Sequence, residues 1–287
     1  MAEKIKLVAD SIVDLSPELV ERYNVEMHYL TINLGGKSYL DMKTITPEDC
    51  YAYYKQTGEL PKTAASSPDE YREIFERWTN DGYSVICFAI SSQMSAAYSS
   101  IKIASEEFDN VYCVDSCNLS TGVALQVIAA AELIEQGKTA PEIVEYLEKL
   151  VPRVDVSFIL NTLHFLWKGG RCSGVAALGA NVLKLRPCIE VKNGVMGVGK
   201  KYRGNFDAVL KYVEGRLEGQ TDLDLSRIFI THSGEYTDEE LQQVKAKVLS
   251  LQPFKEVFIT QAAVTISCHC GPKTLGVLFV HNNPIEA

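Results

Sequence analysis

A chain of 287 residues with 46% hydrophobic side chains can bury one large core or two medium ones, and its formal net charge of −9 excludes the broad basic footprint that nucleic-acid binding requires. The first residues, Met1 to Lys6, lack the apolar stretch of a secretion signal, and no apolar run reaches the length of a membrane span. The eight scattered cysteines, several inside apolar runs (Cys87, Cys113, Cys188), then read as reduced thiols, and the expected location is the cytoplasm.

In chain order, Ile5 to Ala9 is a short apolar strand that stops at Asp10-Ser11. Ser16-Pro17-Glu18 opens a helix with an N-cap and a proline at its first position. Val25 to Leu34 looks extended and ends at Gly35-Gly36. Thr46-Pro47-Glu48-Asp49 and Ser67-Pro68-Asp69-Glu70 are two more helix starts, the second a capping box. Tyr83 to Ile90 and Val111 to Asp115 are continuous apolar runs of the kind found in strands covered on both faces, and Val123 to Ile134 is a strongly apolar helix. This alternation predicts a parallel sheet layered by helices.

After about residue 154 the texture changes. Val156 to Leu160 leads to Gly169-Gly170-Arg171, and Asn193-Gly194 marks a tight turn between Ile189-Glu190-Val191 and Val195 to Val198. Helix, strand (Ile228 to Thr231), helix and two further strands complete a mixed sheet with helices on one side. The expected fold is α/β with two domains. Residues 1–154 form an N-terminal three-layer α/β/α domain with a parallel sheet, and residues 155–287 a C-terminal two-layer α/β domain with a mixed sheet.

In open α/β sheets ligands bind beyond the carboxyl ends of the strands. Asp10-Ser11, Ser91-Ser92-Gln93-Met94-Ser95 and Asp115-Ser116 follow three such ends, and Lys62 to Ser67 precedes a helix. Singly these hydroxyls read as helix caps; together they suggest the polar end of an anion site. Near the C-terminus, Cys268-His269-Cys270-Gly271-Pro272 places an imidazole between two thiols on an expected turn before the strand-like run Gly276 to Val280.

These motifs, taken in order, resemble the DegV family of bacterial fatty acid-binding proteins. The matching segments are Asp10-Ser11 with Asp14-Leu15, Thr63 to Pro68 (loosely), Ser91 to Tyr98, Val114-Asp115-Ser116, Leu163 to Arg171 and Cys268 to Pro272. The family's Gly and Thr in the Ser91 to Tyr98 segment are replaced by Ala96 and Ala97. The resemblance implies a long-chain fatty acid buried lengthwise, in a protein that acts as the binding subunit of a two-component fatty acid kinase, serves phospholipid metabolism and has no catalysis of its own. A separate ATP-binding subunit would phosphorylate the carboxylate to an acyl phosphate. By match of motif, Thr63, Ser95 and Ala96 would bind the carboxylate, and Arg171 and His269 would favour the acyl phosphate, His269 as a cation only when protonated. Arg203 would contact the partner subunit or, transiently, a membrane surface. No cofactor and no metal are expected.

Other chemistries fit less well. Cys268 and Cys270 with His269 fall short of a tetrahedral zinc set, and Ser95 lacks the Gly-x-Ser-x-Gly context of a hydrolase nucleophile. Gly169-Gly170-Arg171 is no phosphate loop, although Arg171 could be a structural ion pair. Cys172 with Cys113 or Cys117 could form a redox pair. Phe165, Leu166 and the segment Val175 to Leu178 are candidates for the acyl lining, with core packing as the competing reading. The rival functions are a stand-alone phosphate-handling enzyme and a lipid carrier without a kinase partner.

Overall fold

The computed structural model describes residues 3–172 and 185–285. The chain runs through β1 (Ile5–Asp10), α1 (Pro17–Arg22), β2 (Val25–His28), β3 (Thr31–Leu34), β4 (Lys37–Leu40), α2 (Pro47–Thr57) and β5 (Lys62–Thr63). Next come α3 (Pro68–Asn80), β6 (Ser84–Ala89), α4 (Ala97–Ser105), β7 (Val111–Asp115), α5 (Thr121–Glu135) and α6 (Ala140–Leu150). The second half contains β8 (Val154–Ile159), α7 (His164–Gly169), β9 (Leu185–Lys192), β10 (Val195–Arg203) and α8 (Phe206–Leu217). It closes with β11 (Leu223–His232), α9 (Asp238–Leu251), β12 (Glu256–Gln261), α10 (Val264–Cys270) and β13 (Leu275–His281).

The fold is a two-domain α/β architecture. The first sheet is parallel, in the order β2-β1-β6-β7. Strand alternation sends side chains to two different helical layers. Ile5, Leu7 and Ala9 of β1 and Ile86 and Phe88 of β6 pack with α5 and α6, whereas Val8, Val85, Cys87 and Ala89 pack with Tyr71 and Phe75 of α3 and Ile101 and Ala104 of α4. The second sheet is mixed, in the order β10-β9-β8-β13-β11-β12. Val277 and Phe279 of β13 face α8 and α9, while Leu278 and Val280 turn to α5. Helix α5 therefore lies between the two sheets, which is why it is apolar nearly all round. A domain boundary at residue 154 is a proposal that this arrangement supports, since the strands of the parallel sheet all precede it and those of the mixed sheet begin there.

Two local readings need correction. The extended run Val25 to Leu34 is two strands in two sheets: β2 joins the parallel sheet, and β3 pairs with β4 and β5 in a small antiparallel one. The chain is diverted at Leu30, whose N–H donates to Ser11 Oγ and whose carbonyl accepts from Asp41 N–H. The second correction is the segment expected to be a turn around His269, which is the helix α10. Carboxylates from the first half of the chain cap its N-terminus: Asp14 accepts from Ala263 N–H (2.7 Å), and Asp41 accepts from Val264 N–H (2.8 Å), Thr265 N–H (3.3 Å) and the Thr265 hydroxyl (2.7 Å). Gly271 ends the helix at φ 76°, with its α-carbon so close to Phe165 that a Cβ would lie 2.5 Å from the ring.

Removing the Asp41 carboxylate strands several buried donors at once. Asp41→Ala is expected to lower the unfolding free energy by about 2–4 kcal/mol, and Asp41→Asn, which keeps one acceptor, by less. Urea titration at constant m-value checks this; an unchanged midpoint for the alanine variant would mean the cap contributes nothing.

Candidate functional site

A cleft lies between the two halves, lined mostly by apolar side chains. Ile12, Leu30 and Ile90, just beyond the ends of β1, β2 and β6, give it one apolar wall, so it sits at the carboxyl edge of the parallel sheet. Phe158 at the end of β8, Leu166 of α7, Met196 of β10 and Ile266 of α10 supply the opposite wall. Val154 and Val156, on the same face of β8 as Phe158, pack with α5, so that strand passes directly from core to cleft.

The lining also carries Thr63, Ala64, Ala65, Ser95, Arg171, Thr265 and His269. Thr63 ends β5, and its Oγ1 lies 3.3 Å from His269 Nε2, a contact in which either group can donate. Ser95 Oγ accepts from Ala97 N–H at 3.2 Å at the start of α4, and among the described residues its own O–H has no acceptor. The Gly-Gly-Arg sequence has a separate reason at each position. A Cβ on Gly169 would fall 2.5 Å from His269 Nδ1, so only glycine lets the imidazole pack there. Gly170 turns the chain at φ 67°, and Arg171 Nη1 then donates to Gly169 O at 2.7 Å. Among the described residues no carboxylate forms an ion pair with Arg171, so its charge is not spent on a salt bridge.

Burial, reinforced by the Arg171 guanidinium, pushes the His269 imidazole down to about 4. At neutral pH this ring is uncharged, and Arg171 is the cation of the cleft. A cationic His269 was expected only in the protonated form, which burial disfavours here.

The other hydroxyls at strand ends are used structurally. Ser11 donates to Asp41, Ser91 Oγ donates to Gly194 O across the two halves at 2.7 Å, and Ser116 donates to Asn118 O. Asp115 orders the Ser92 loop by accepting from Ser92 and Cys117 N–H groups. Ala96 caps α4 with an exposed side chain and does not line the cleft, although Ala97 does. Arg203 is exposed at the end of the edge strand β10 and is not part of the cleft wall. Leu166 lines the cleft, whereas Phe165 packs on Tyr51, Tyr54 and Gly271; Val175 to Leu178 lies outside the described residues. Cys113 packs on the α3 and α4 layer, whereas Cys172 packs with the cluster beneath the cleft, its Sγ donating to Met196 O at 3.5 Å. Among the described residues no group of three or more His, Cys, Asp or Glu side chains is placed to hold a metal. No helix among them is long and apolar enough to cross a membrane. The apolar wall residues Ile12, Leu30 and Ile90 went unnoticed in the sequence, although their place one or two residues past a strand end is itself a signal.

Comparison with known proteins agrees over the whole chain. The profile of the DegV family, whose members are described as uncharacterised proteins, matches residues 4–282. A DegV domain-containing protein of Clostridium acetobutylicum is 30% identical over 282 residues, covering 96% of this chain and 98% of that protein. A fatty acid-binding protein of Thermotoga maritima is 28% identical over 283 residues, covering 95% and 96%. Among solved structures, a DegV family protein from Thermus thermophilus, described for its fatty acid binding, superposes with a TM-score of 0.87 at 29% identity over 97% of this chain and 99% of that one.

His269 makes a pH prediction. The imidazole titrates near 6.5 in an unfolded chain and at about 4 here, so between those values the folded state binds fewer protons. Its contribution to stability is fully present above pH 6.5 and is lost as the pH falls towards 4. Between pH 7 and pH 4 the parent is expected to lose on the order of 3 kcal/mol more unfolding free energy than His269→Gln. Parallel stability curves for the two proteins would show that the ring is not buried in its neutral form.

Proposed function

The chain belongs to the DegV family, and from that membership and the form of the cleft we propose that it binds a long-chain fatty acid with its carboxylate at the Thr63 and Ser95 end. The observation that carries this reading is a mostly apolar cleft whose lining also holds the Thr63 and Ser95 hydroxyls and the Arg171 guanidinium. Burying about 15 methylenes contributes on the order of 12 kcal/mol before the costs of ordering and association. A carboxylate taken in without partners would forfeit much of that. The free Ser95 O–H, the Thr63 hydroxyl and the Arg171 guanidinium supply donors and charge at the place where it is needed.

The finer role is presentation of that carboxylate to a separate ATP-binding kinase subunit, which makes the acyl phosphate. The protein is then a non-catalytic binding subunit in the cytoplasm, without cofactor or metal, feeding phospholipid synthesis. Arg171 has the larger part in favouring the product, because an acyl phosphate carries nearly one more negative charge than the carboxylate and His269 is neutral. His269 contributes as a hydrogen-bonding partner of Thr63. Arg203 on the exposed edge strand is assigned to partner or transient membrane contact.

Protein purified from bacteria is expected to carry about one fatty acid per chain, read by mass spectrometry of an organic extract. Folded protein that yields no acyl chain and takes up none when it is added would end the proposal. Thr63→Ala and Ser95→Ala are each expected to weaken fatty acid binding by about 1–3 kcal/mol with the fold intact.

The kinase role has its own test. Arg171→Ala is expected to keep most of its fatty acid affinity but to support at least about tenfold less acyl phosphate formation with a kinase subunit and ATP. Acyl phosphate made by the parent protein with ATP and magnesium alone would identify it as an enzyme in its own right. Equal loss of binding and turnover would make Arg171 an ordinary carboxylate anchor.

A further inference from the structure

The loop that carries Thr63 is short and is held at its two ends. Upstream, β5 has only two residues and pairs with β3 alone, Thr63 lying opposite Ile32. Downstream, the buried Ser66 places its Oγ 2.7 Å from His28 Nε2, at the end of β2. Between these anchors stand Ala64 and Ala65, which line the cleft with side chains that form no hydrogen bond. Their position over the cleft is set by the backbone, and the backbone is set by the two anchors. Ser67 is not available for this task. Its Oγ accepts from Glu70 N–H at 3.4 Å and its N–H donates to Glu70 Oε2 at 2.7 Å, which starts α3. The two neighbouring serines thus serve different elements, Ser66 the loop and Ser67 the helix.

His28 is itself held from behind. It lies opposite Asp10 of β1 in the parallel register, and its ring packs 5.1 Å from that of Tyr71. The Tyr71 hydroxyl donates to Asp10 Oδ1 at 2.8 Å, and both residues are fully enclosed. Burial lowers the pKa of the His28 imidazole, so at neutral pH the ring is uncharged and Nε2 either accepts from Ser66 or donates to it. We infer that His28 is a positioning residue of the fatty acid site, which through Ser66 fixes the Thr63 to Ala65 loop in the form that presents the Thr63 hydroxyl and completes the cleft wall. This rests on the fatty acid reading above. His28 does not line the cleft, so its effect reaches a ligand only through the loop. With the bond removed, the loop gains freedom that binding has to take away again, and affinity falls.

The test compares full-length parent, His28→Phe, His28→Gln, Ser66→Ala and the His28→Phe/Ser66→Ala double variant. Phenylalanine keeps a ring against Tyr71 without the hydrogen bond, whereas glutamine keeps a donor and an acceptor. Oleic acid affinity is measured by calorimetry, and amide hydrogen exchange is followed in the ligand-free proteins by mass spectrometry. His28→Phe and Ser66→Ala are each expected to weaken oleic acid binding about fivefold to tenfold, the double variant no more than either, and His28→Gln less than about threefold. Exchange in residues 60–67 is expected to quicken in the phenylalanine and alanine variants while β1 and β6 stay protected. Parental affinity in His28→Phe, losses that multiply in the double variant, or a glutamine variant as weak as the phenylalanine one overturns the inference. Faster exchange throughout β1 and β6 also overturns it, since His28 would then be a general packing residue. A parent that binds no oleic acid, with loop exchange still quickened in His28→Phe, keeps the anchor and overturns the fatty acid reading instead. Equal loop exchange in parent and His28→Phe removes the anchor whatever the ligand.

Discussion

The site depends on two carboxylates reaching across the chain. Asp14 and Asp41, both buried, accept from Ala263, Val264 and Thr265 and so hold the first turn of α10. A seven-residue helix of β-branched, serine and cysteine residues has little stability of its own. Burial drives the Asp14 carboxyl well above the usual range, while bonds from Ala263 N–H and the Ser120 hydroxyl pull the other way. What these carboxylates secure is direction. With the first turn fixed, the last turn delivers both His269 and Cys270 to the cleft wall.

This dependence explains what could be read from the amino-acid order. The strands Ile5–Asp10 and Ser84–Ala89 were legible because a central parallel strand is apolar on both faces, whatever its neighbours, and the edge strand Val111–Asp115 because its short run is still largely apolar. The helix start at Thr46, the capping box at Ser67 and the Asn193-Gly194 turn were legible because their partners lie within three residues. Helix α10 was not. Its cap acceptors stand more than two hundred positions away, and its own residues favour turn or strand as readily as helix. The same limit hid the roles of the serines. Ser91 and Ser95 are four residues apart with like surroundings in sequence, yet one is bonded to the hairpin at Gly194 and the other faces the cleft.

The polar groups of the cleft were legible in composition, and the charge state of His269 was not. Thr63, Arg171 and His269 come together, as a shared anion site requires. The protonation of His269 follows from its burial and from the nearby guanidinium, and both are tertiary facts. Gly169 shows how closely the parts are fitted: the same residue that ends α7 leaves the space into which the imidazole packs.

Helix α5, covered on both sides, sets the way in which such a molecule can evolve and open. Val156, Phe229, Leu278 and Val280 of the mixed sheet share its core, and at about 1.5–3 kcal/mol each their burial is worth roughly 6–12 kcal/mol, comparable to the whole stability of a typical domain. The halves are therefore not exchangeable modules, and a gene fragment encoding either alone would expose a wet apolar face. Separating the two sheets would strip α5 of one of its two apolar covers.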